Sequence, residues 1–205
     1  SDAHSFTKVS AGAASSCGVD SNRTLWCWGN NLYGELGLGF DSNVDSPVPQ
    51  QVAPASSTRK WQTVVVGNST ACALSDLPSG AGWLGQTVLH CWGRGDTGER
   101  ATDGGEPLNF MSSAAPDAPR VVQQGTYDSI SIGNNHGCGI TSTSNPSLAT
   151  TLRCWGKNPN GSLGTATSIE SSNLTQIAPV PVLPASRDPF RLIGVNRFGI
   201  TDASC

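Results

Sequence analysis

Leu25-Trp26-Cys27-Trp28-Gly29 returns as Leu89-His90-Cys91-Trp92-Gly93 and again as Leu152-Arg153-Cys154-Trp155-Gly156. Each copy is preceded by a second cysteine in a Cys-x-apolar context, Cys17-Gly18-Val19, Cys72-Ala73-Leu74 and Cys138-Gly139-Ile140. Each of those follows an aromatic residue, Phe6, Trp61 or Tyr127, by eleven positions. A glycine stands six residues after that aromatic every time, at Gly12, Gly67 and Gly133. Two fixed offsets kept through three copies define an internal repeat, and a repeat of this length holds three or four short strands, the content of one propeller blade. The chain therefore reads as all-β, with blade-repeats over 6–60, 61–126 and 127–189. A partial fourth over 190–205 opens at Phe190, where Asn196 and Thr201 replace the expected Gly and Cys.

The strands follow from local chemistry. Val64-Val65-Val66 and Ile130-Ser131-Ile132 are β-branched runs ended by glycine. The Pro/Ser-rich stretches Ser42 to Thr58, Glu106 to Arg120 and Ser168 to Pro189 vary most between copies. They are expected to be surface loops carrying one edge strand each, such as Val121-Val122 or Val180-Pro181-Val182.

The cysteines can be paired from the same hairpins. Cys17 and Cys27 are equidistant from Asn22, Cys138 and Cys154 from Pro146, and Cys72 and Cys91 flank the Ser79-Gly80-Ala81-Gly82 turn. Residues equidistant from a hairpin tip are cross-strand neighbours close enough for a disulfide, so one staple per blade is expected. Cys205, the seventh cysteine, has no local mate and is expected to pair out of range or with another chain. The absence of any Cys-x-x-Cys pair argues against zinc. Four sequons, at Asn22, Asn68, Asn160 and Asn173, join the paired cysteines in pointing to the secretory pathway and a secreted or cell-surface protein.

Composition excludes several classes. Only 13% of the 205 residues are charged while Gly reaches 24 and Pro 13, which leaves little from which to build long amphipathic helices. With 12 Lys+Arg against 15 Asp+Glu, a net charge of −3 and no basic cluster longer than Arg59-Lys60, nucleic acid is not an expected partner. No apolar run reaches the length of a membrane span. Ser1-Asp2-Ala3-His4 shows no basic stretch leading into an apolar one, so a processed chain or a piece of a longer one is expected.

The order aromatic, Gly, Cys-x-apolar, apolar-x-Cys-Trp-Gly resembles the regulator of chromosome condensation repeat, in the disulfide-bearing form of extracellular proteins. Gly29-Asn30-Asn31-Leu32-Tyr33-Gly34-Glu35-Leu36-Gly37 is similar to that family's Trp-Gly-x-Asn-x-x-Gly-Gln-Leu-Gly signature, with Glu35 and Ser162 in place of Gln and Ala101 in place of the last Gly of the second copy. The resemblance implies membership of a seven-bladed propeller, which three and a half repeats do not close. Its completion is expected from more of the same polypeptide or from a second chain. The nuclear exchange activity of the best-known member is not expected here, because sequons and half-cystines contradict an intracellular setting.

Catalytic chemistry finds little support. His4, His90 and His136 read as structural, no Gly-x-Ser-x-Gly or His-Glu-x-x-His occurs, and the carboxylates are scattered over loops. Gly93-Arg94-Gly95-Asp96-Thr97-Gly98 matches a dinucleotide fingerprint, but no helix signal follows and the repeat accounts for Gly93 and Gly98. Neither an enzyme nor a cofactor is expected. Two contact candidates remain: Arg94-Gly95-Asp96, a tripeptide that adhesion receptors recognise on exposed turns, and Trp83, an aromatic in an insertion absent from the other copies. The reading is a non-enzymatic extracellular interaction or structural module binding protein or polysaccharide. The alternative is a secreted inhibitor or a receptor ectodomain.

Overall fold

The structure, a computed structural model, describes residues 4–39, 44–52, 59–76, 87–95, 98–100, 120–121, 126–142, 151–158, 160–164 and 175–181. The strands are β1 (Phe6–Ala11), β2 (Ser15–Asp20), β3 (Leu25–Gly29), β4 (Ser46–Gln51), β5 (Trp61–Val66), β6 (Thr70–Asp76), β7 (Thr87–Gly93), β8 (Arg120–Val121), β9 (Thr126–Ile132), β10 (His136–Ser142), β11 (Thr151–Lys157) and β12 (Thr175–Pro181). They form three four-stranded antiparallel meanders, β1 to β4, β5 to β8 and β9 to β12, each ordered as in sequence. These are propeller blades, and no helix occurs among the described residues. The proline-bearing β4 and β12 lie at sheet edges, where a missing N–H breaks no ladder.

Register explains a spacing that strict alternation would not. Trp61 and Val64 are both buried although three residues apart, as are Tyr127 and Ile130. In a regular strand they would face opposite sides. Pairing shifts between Phe6 and Lys8, between Trp61 and Thr63, and opposite Ile140/Thr141 in the third blade. A bulge thus follows each aromatic and returns the apolar residue three positions on to the same face. Thr7, Gln62 and Asp128 are exposed at the bulges.

The core lies between blades rather than within them. Cys17, Val19, Leu25 and Cys27 of the first blade pack with Trp61, Val64, Val66 and Trp92 of the second. One step on, Cys72, Leu74, Leu89 and Cys91 of the second pack with Tyr127, Ile130, Ile132 and Trp155 of the third. Each blade therefore has a forward face of cystine and aliphatic groups and a rear face of aromatic and β-branched ones. The forward face of one covers the rear face of the next, as a repeat that cannot bury its own hydrophobic surface requires.

Glycine sets two of the close approaches. Gly29, Gly93 and Gly156 adopt φ of 106°, 89° and 100°, and a Cβ there would stand 2.5 Å from the carbonyl oxygen of Ala14, Ser69 and Asn135 in turn. The same three carbonyls accept the N–H of Asn30, Arg94 and Lys157. Between blades, a Cβ on Gly67 would lie 2.5 Å from Gly133 O, and one on Gly12 would collide with Gly67 O. The aromatic-to-Gly offset of six thus marks where neighbouring blades touch backbone to backbone, a contact reinforced by the bond from Ala13 N to Gly67 O at 3.2 Å.

Candidate interaction surface

The six paired cysteines sit opposite one another in the ladders. Cys17 pairs with Cys27, Cys72 with Cys91 and Cys138 with Cys154, as disulfides with Cα separations of 4.1, 4.1 and 4.0 Å. All six are fully buried and staple the central hairpin of each blade, and the first two cystines also supply apolar contact to the next blade.

Two kinds of tie join successive blades. The Trp92 indole donates through Nε1 to Glu35 O of the first blade at 2.8 Å, and Trp155 donates to Glu99 O of the second at 2.8 Å. The acceptors occupy one position of the loop after the third strand. That loop is organised by Asn31, whose Oδ1 accepts the Leu36 N–H at 3.0 Å, and by Asn158, whose Oδ1 accepts the Leu163 N–H at 3.0 Å. The second copy has Gly95 and Arg100 at these two places. A Cβ on Gly95 would collide with the Arg100 side chain, so the longer residue occupies room that the missing side chain leaves.

The second tie lies four residues before the second cysteine. Arg23, at φ 64°, donates Nε to Trp61 O at 3.2 Å and Nη2 to Asp76 Oδ1 at 2.7 Å, while its own carbonyl accepts the Trp61 N–H. The Arg23 hydrogen bond is the main reason the Asp76 carboxyl is held below the usual carboxylate range. Burial opposes it, and a further bond from Gln62 Nε2 at 2.8 Å assists it. Thr87, in the same position of the second blade, bonds to the backbone N–H and carbonyl of Tyr127. Lys60 Nζ donates to Asn22 O at 3.0 Å, completing a polar rim across the first two blades.

The remaining candidates separate by exposure. Asn22 is exposed at the β2–β3 hairpin, where its N–H and that of Thr24 bond to Asp20 Oδ1. Burial pushes the Asp20 pKa up, but these donors, Trp26 Nε1 and the nearby His4 outweigh it, and the net shift is downward. Asn160 is also exposed, while Asn68 is half-buried in the turn between β5 and β6. Arg94 is half-buried with its guanidinium 5.4 Å from the Tyr33 ring, and Gly95 is buried. Asp96, Trp83, Asn173, Cys205 and the partial repeat over 190–205 lie outside the described residues.

Sequence reasoning missed the neighbourhood of His90, whose Nε2 lies 2.9 Å from Ser75 Oγ and whose ring meets Trp61 edge-on at 5.1 Å. The Ser75 hydroxyl points to Asp76 O at 3.1 Å, which assigns the imidazole proton to Nε2. Both side chains are buried, so this pair presents no nucleophile to solvent. Among the described residues no three His, Cys, Asp or Glu side chains converge as metal ligands.

Two family models, both described as the Regulator of chromosome condensation (RCC1) repeat, match the chain, one over residues 24–74 and one over 6–35 and 127–162. The matched stretches hold the central hairpins of the first and third blades and the β5–β6 hairpin of the second. The chain belongs to the RCC1 repeat family. Among solved structures it is similar to Prp20p from Saccharomyces cerevisiae, with a TM-score of 0.71 at 14% identity, over 94% of this chain and 42% of that one. It is also similar to human WBSCR16, with a TM-score of 0.66 at 18% identity and the same coverages. This RCC1-repeat chain thus spans about two-fifths of the length of those structures, and at such identities the likeness shows the fold alone. No curated protein matches it in sequence.

Proposed function

We propose that this RCC1-repeat chain is a non-enzymatic extracellular module, disulfide-stapled and N-glycosylated, that binds a protein or polysaccharide through its variable loops. One buried disulfide in each of three blades carries the reading, since such bonds persist in oxidising compartments and are rare where thiols are kept reduced. Exposure of the Asn22 and Asn160 side chains in their sequons supports glycosylation there. Prp20p, with the same fold, is described by its binding to Gsp1p and histones, and from it only the general role of protein binding is carried over. The blades form the frame, and the stretches that vary between copies are the contact surface. We assign the units 6–60, 61–126, 127–189 and 190–205 to successive blades of the ring.

Expression through a secretory route, followed by glycosidase treatment and intact mass measurement, tests the proposal. A mass loss that Asn22→Gln reduces, together with no alkylatable thiol at the six paired cysteines, is the expected result. Unmodified sequons and free thiols in secreted protein would overturn it.

A further inference from the structure

The turn after β11 leaves unbonded a nitrogen that its two counterparts tie down. In the first two blades the glycine of this turn donates its N–H back across it, Gly34 N to Asn31 O at 3.2 Å and Gly98 N to Gly95 O at 3.3 Å. Gly161 holds the same position in the third blade, and its carbonyl accepts the Gly164 N–H at 2.9 Å, as that of Gly34 accepts the Gly37 N–H at 3.0 Å. Among the described residues, however, no acceptor meets the Gly161 N–H. The residue before it is Asn160, and both are exposed. Gly161 adopts φ 75°, and a Cβ there would meet nothing within 4 Å, so neither a side chain nor packing screens its nitrogen. Three other asparagines lack this opening. Arg23 N, after Asn22, donates to Asp20 O at 2.9 Å, and Asn31 N, after Asn30, donates to Asp45 Oδ1 at 2.9 Å. Asn158 is buried and precedes Pro159, which has no N–H.

We infer that Asn160 is a site of spontaneous deamidation, in which the Gly161 nitrogen closes on the Asn160 side chain. Gly161 N gives up its proton to solvent base and bonds to Asn160 Cγ, the Cγ–Nδ2 bond breaks, and Nδ2 takes a proton from solvent and leaves as ammonia. Water then opens the five-membered imide at either carbonyl, giving aspartate or isoaspartate, with no oxidant or reductant required. Either product adds a negative charge to a chain whose net charge is −3. Isoaspartate also lengthens by one atom the backbone of the turn in which Asn158 Oδ1 seats the buried Leu163. The departing Nδ2 is the atom that carries the sugar when the sequon Asn160-Gly161-Ser162 is occupied, so a glycan closes this route. That protection rests on the extracellular reading, whereas the ring closure rests on the turn alone.

The full 205-residue chain, made with its disulfides in a host that does not N-glycosylate, is aged in neutral buffer prepared from oxygen-18 water and read by isoelectric focusing and peptide mass. An acidic shift is expected, with label entering at Asn160 about tenfold faster than at Asn22 or Asn68, in a peptide that separates into two forms of equal mass. Asn160→Gln, which keeps the amide on a longer arm, is expected to lose the shift. Label entering Asn160 no faster than Asn22 and Asn68 overturns the inference, and so does an acidic shift that Asn160→Gln retains. In secreted protein, glycopeptides read without glycosidase are expected to stay unlabelled, while Ser162→Ala, which removes the sequon and keeps Asn160-Gly161, restores the labelling. An unoccupied Asn160 that takes up label in secreted protein upholds the inference and counts against the glycosylation reading alone.

Discussion

Acidification should destabilise the second blade through His90. The imidazole is 2% exposed, held between Trp61 and Ser75, with Nδ1 buried and unpaired. Burial, aided by the positive charge of Arg59, lowers its pKa from 6.5 to about 3. The folded pKa is thus depressed below the unfolded one. The unfolded state takes up a proton first, so stability is intact above pH ~6.5 and falls as pH drops towards 3. At about 1.4 kcal/mol per pH unit the loss is about 3 kcal/mol by pH 4.5 and about 5 kcal/mol when complete, a large share of the roughly 5 to 15 kcal/mol that holds a domain together. Urea unfolding at pH 7.0 and pH 4.5, on the parent and on His90→Gln, measures this. The parent should lose about 3 kcal/mol more than the variant over that interval, because carboxylates and the other histidines contribute equally to both. Equal pH slopes would refute the claim that His90 is buried uncharged.

Gly93→Ala should cost about 2 to 4 kcal/mol, since it imposes a left-handed φ on a side chain and drives its Cβ into Ser69 O; a melting temperature unchanged from the parent would contradict the close approach. Trp92→Phe removes a buried donor to Glu35 O, at an expected cost of about 1 to 2 kcal/mol, whereas Trp28→Phe should cost less than that; denaturant midpoints compare the two. Reducing the Cys72–Cys91 bond by Cys72→Ser with Cys91→Ser should lower stability by about 3 kcal/mol on loop entropy alone, measurable by calorimetry. Asp76→Asn weakens the Arg23 clasp at a half-exposed site and should cost no more than about 1 kcal/mol, with the loss shrinking in high salt.

The repeat, the strands and the cystine hairpins were legible in the sequence because each rests on a side-chain identity at a fixed offset: an aromatic, a glycine, a Cys-x-apolar, an apolar-x-Cys-Trp. The bulge after Phe6, Trp61 and Tyr127 could have been read from two apolar residues three apart in a strand, a spacing that alternation forbids. The inter-blade ties were hidden for a different reason. The acceptors of Trp92 and Trp155 are backbone carbonyls, which carry no residue signature, and Arg23 and Thr87 do one job with unrelated side chains. Nor does the sequence show that Gly95, by lacking a side chain, leaves room for Arg100 beside it.

The most direct test of a disulfide-stapled propeller is non-reducing peptide mapping of the protein from its native source. The account predicts Cys17–Cys27, Cys72–Cys91 and Cys138–Cys154, one link inside each blade. A link between blades, such as Cys27 to Cys72, or free thiols at these six positions, would contradict it.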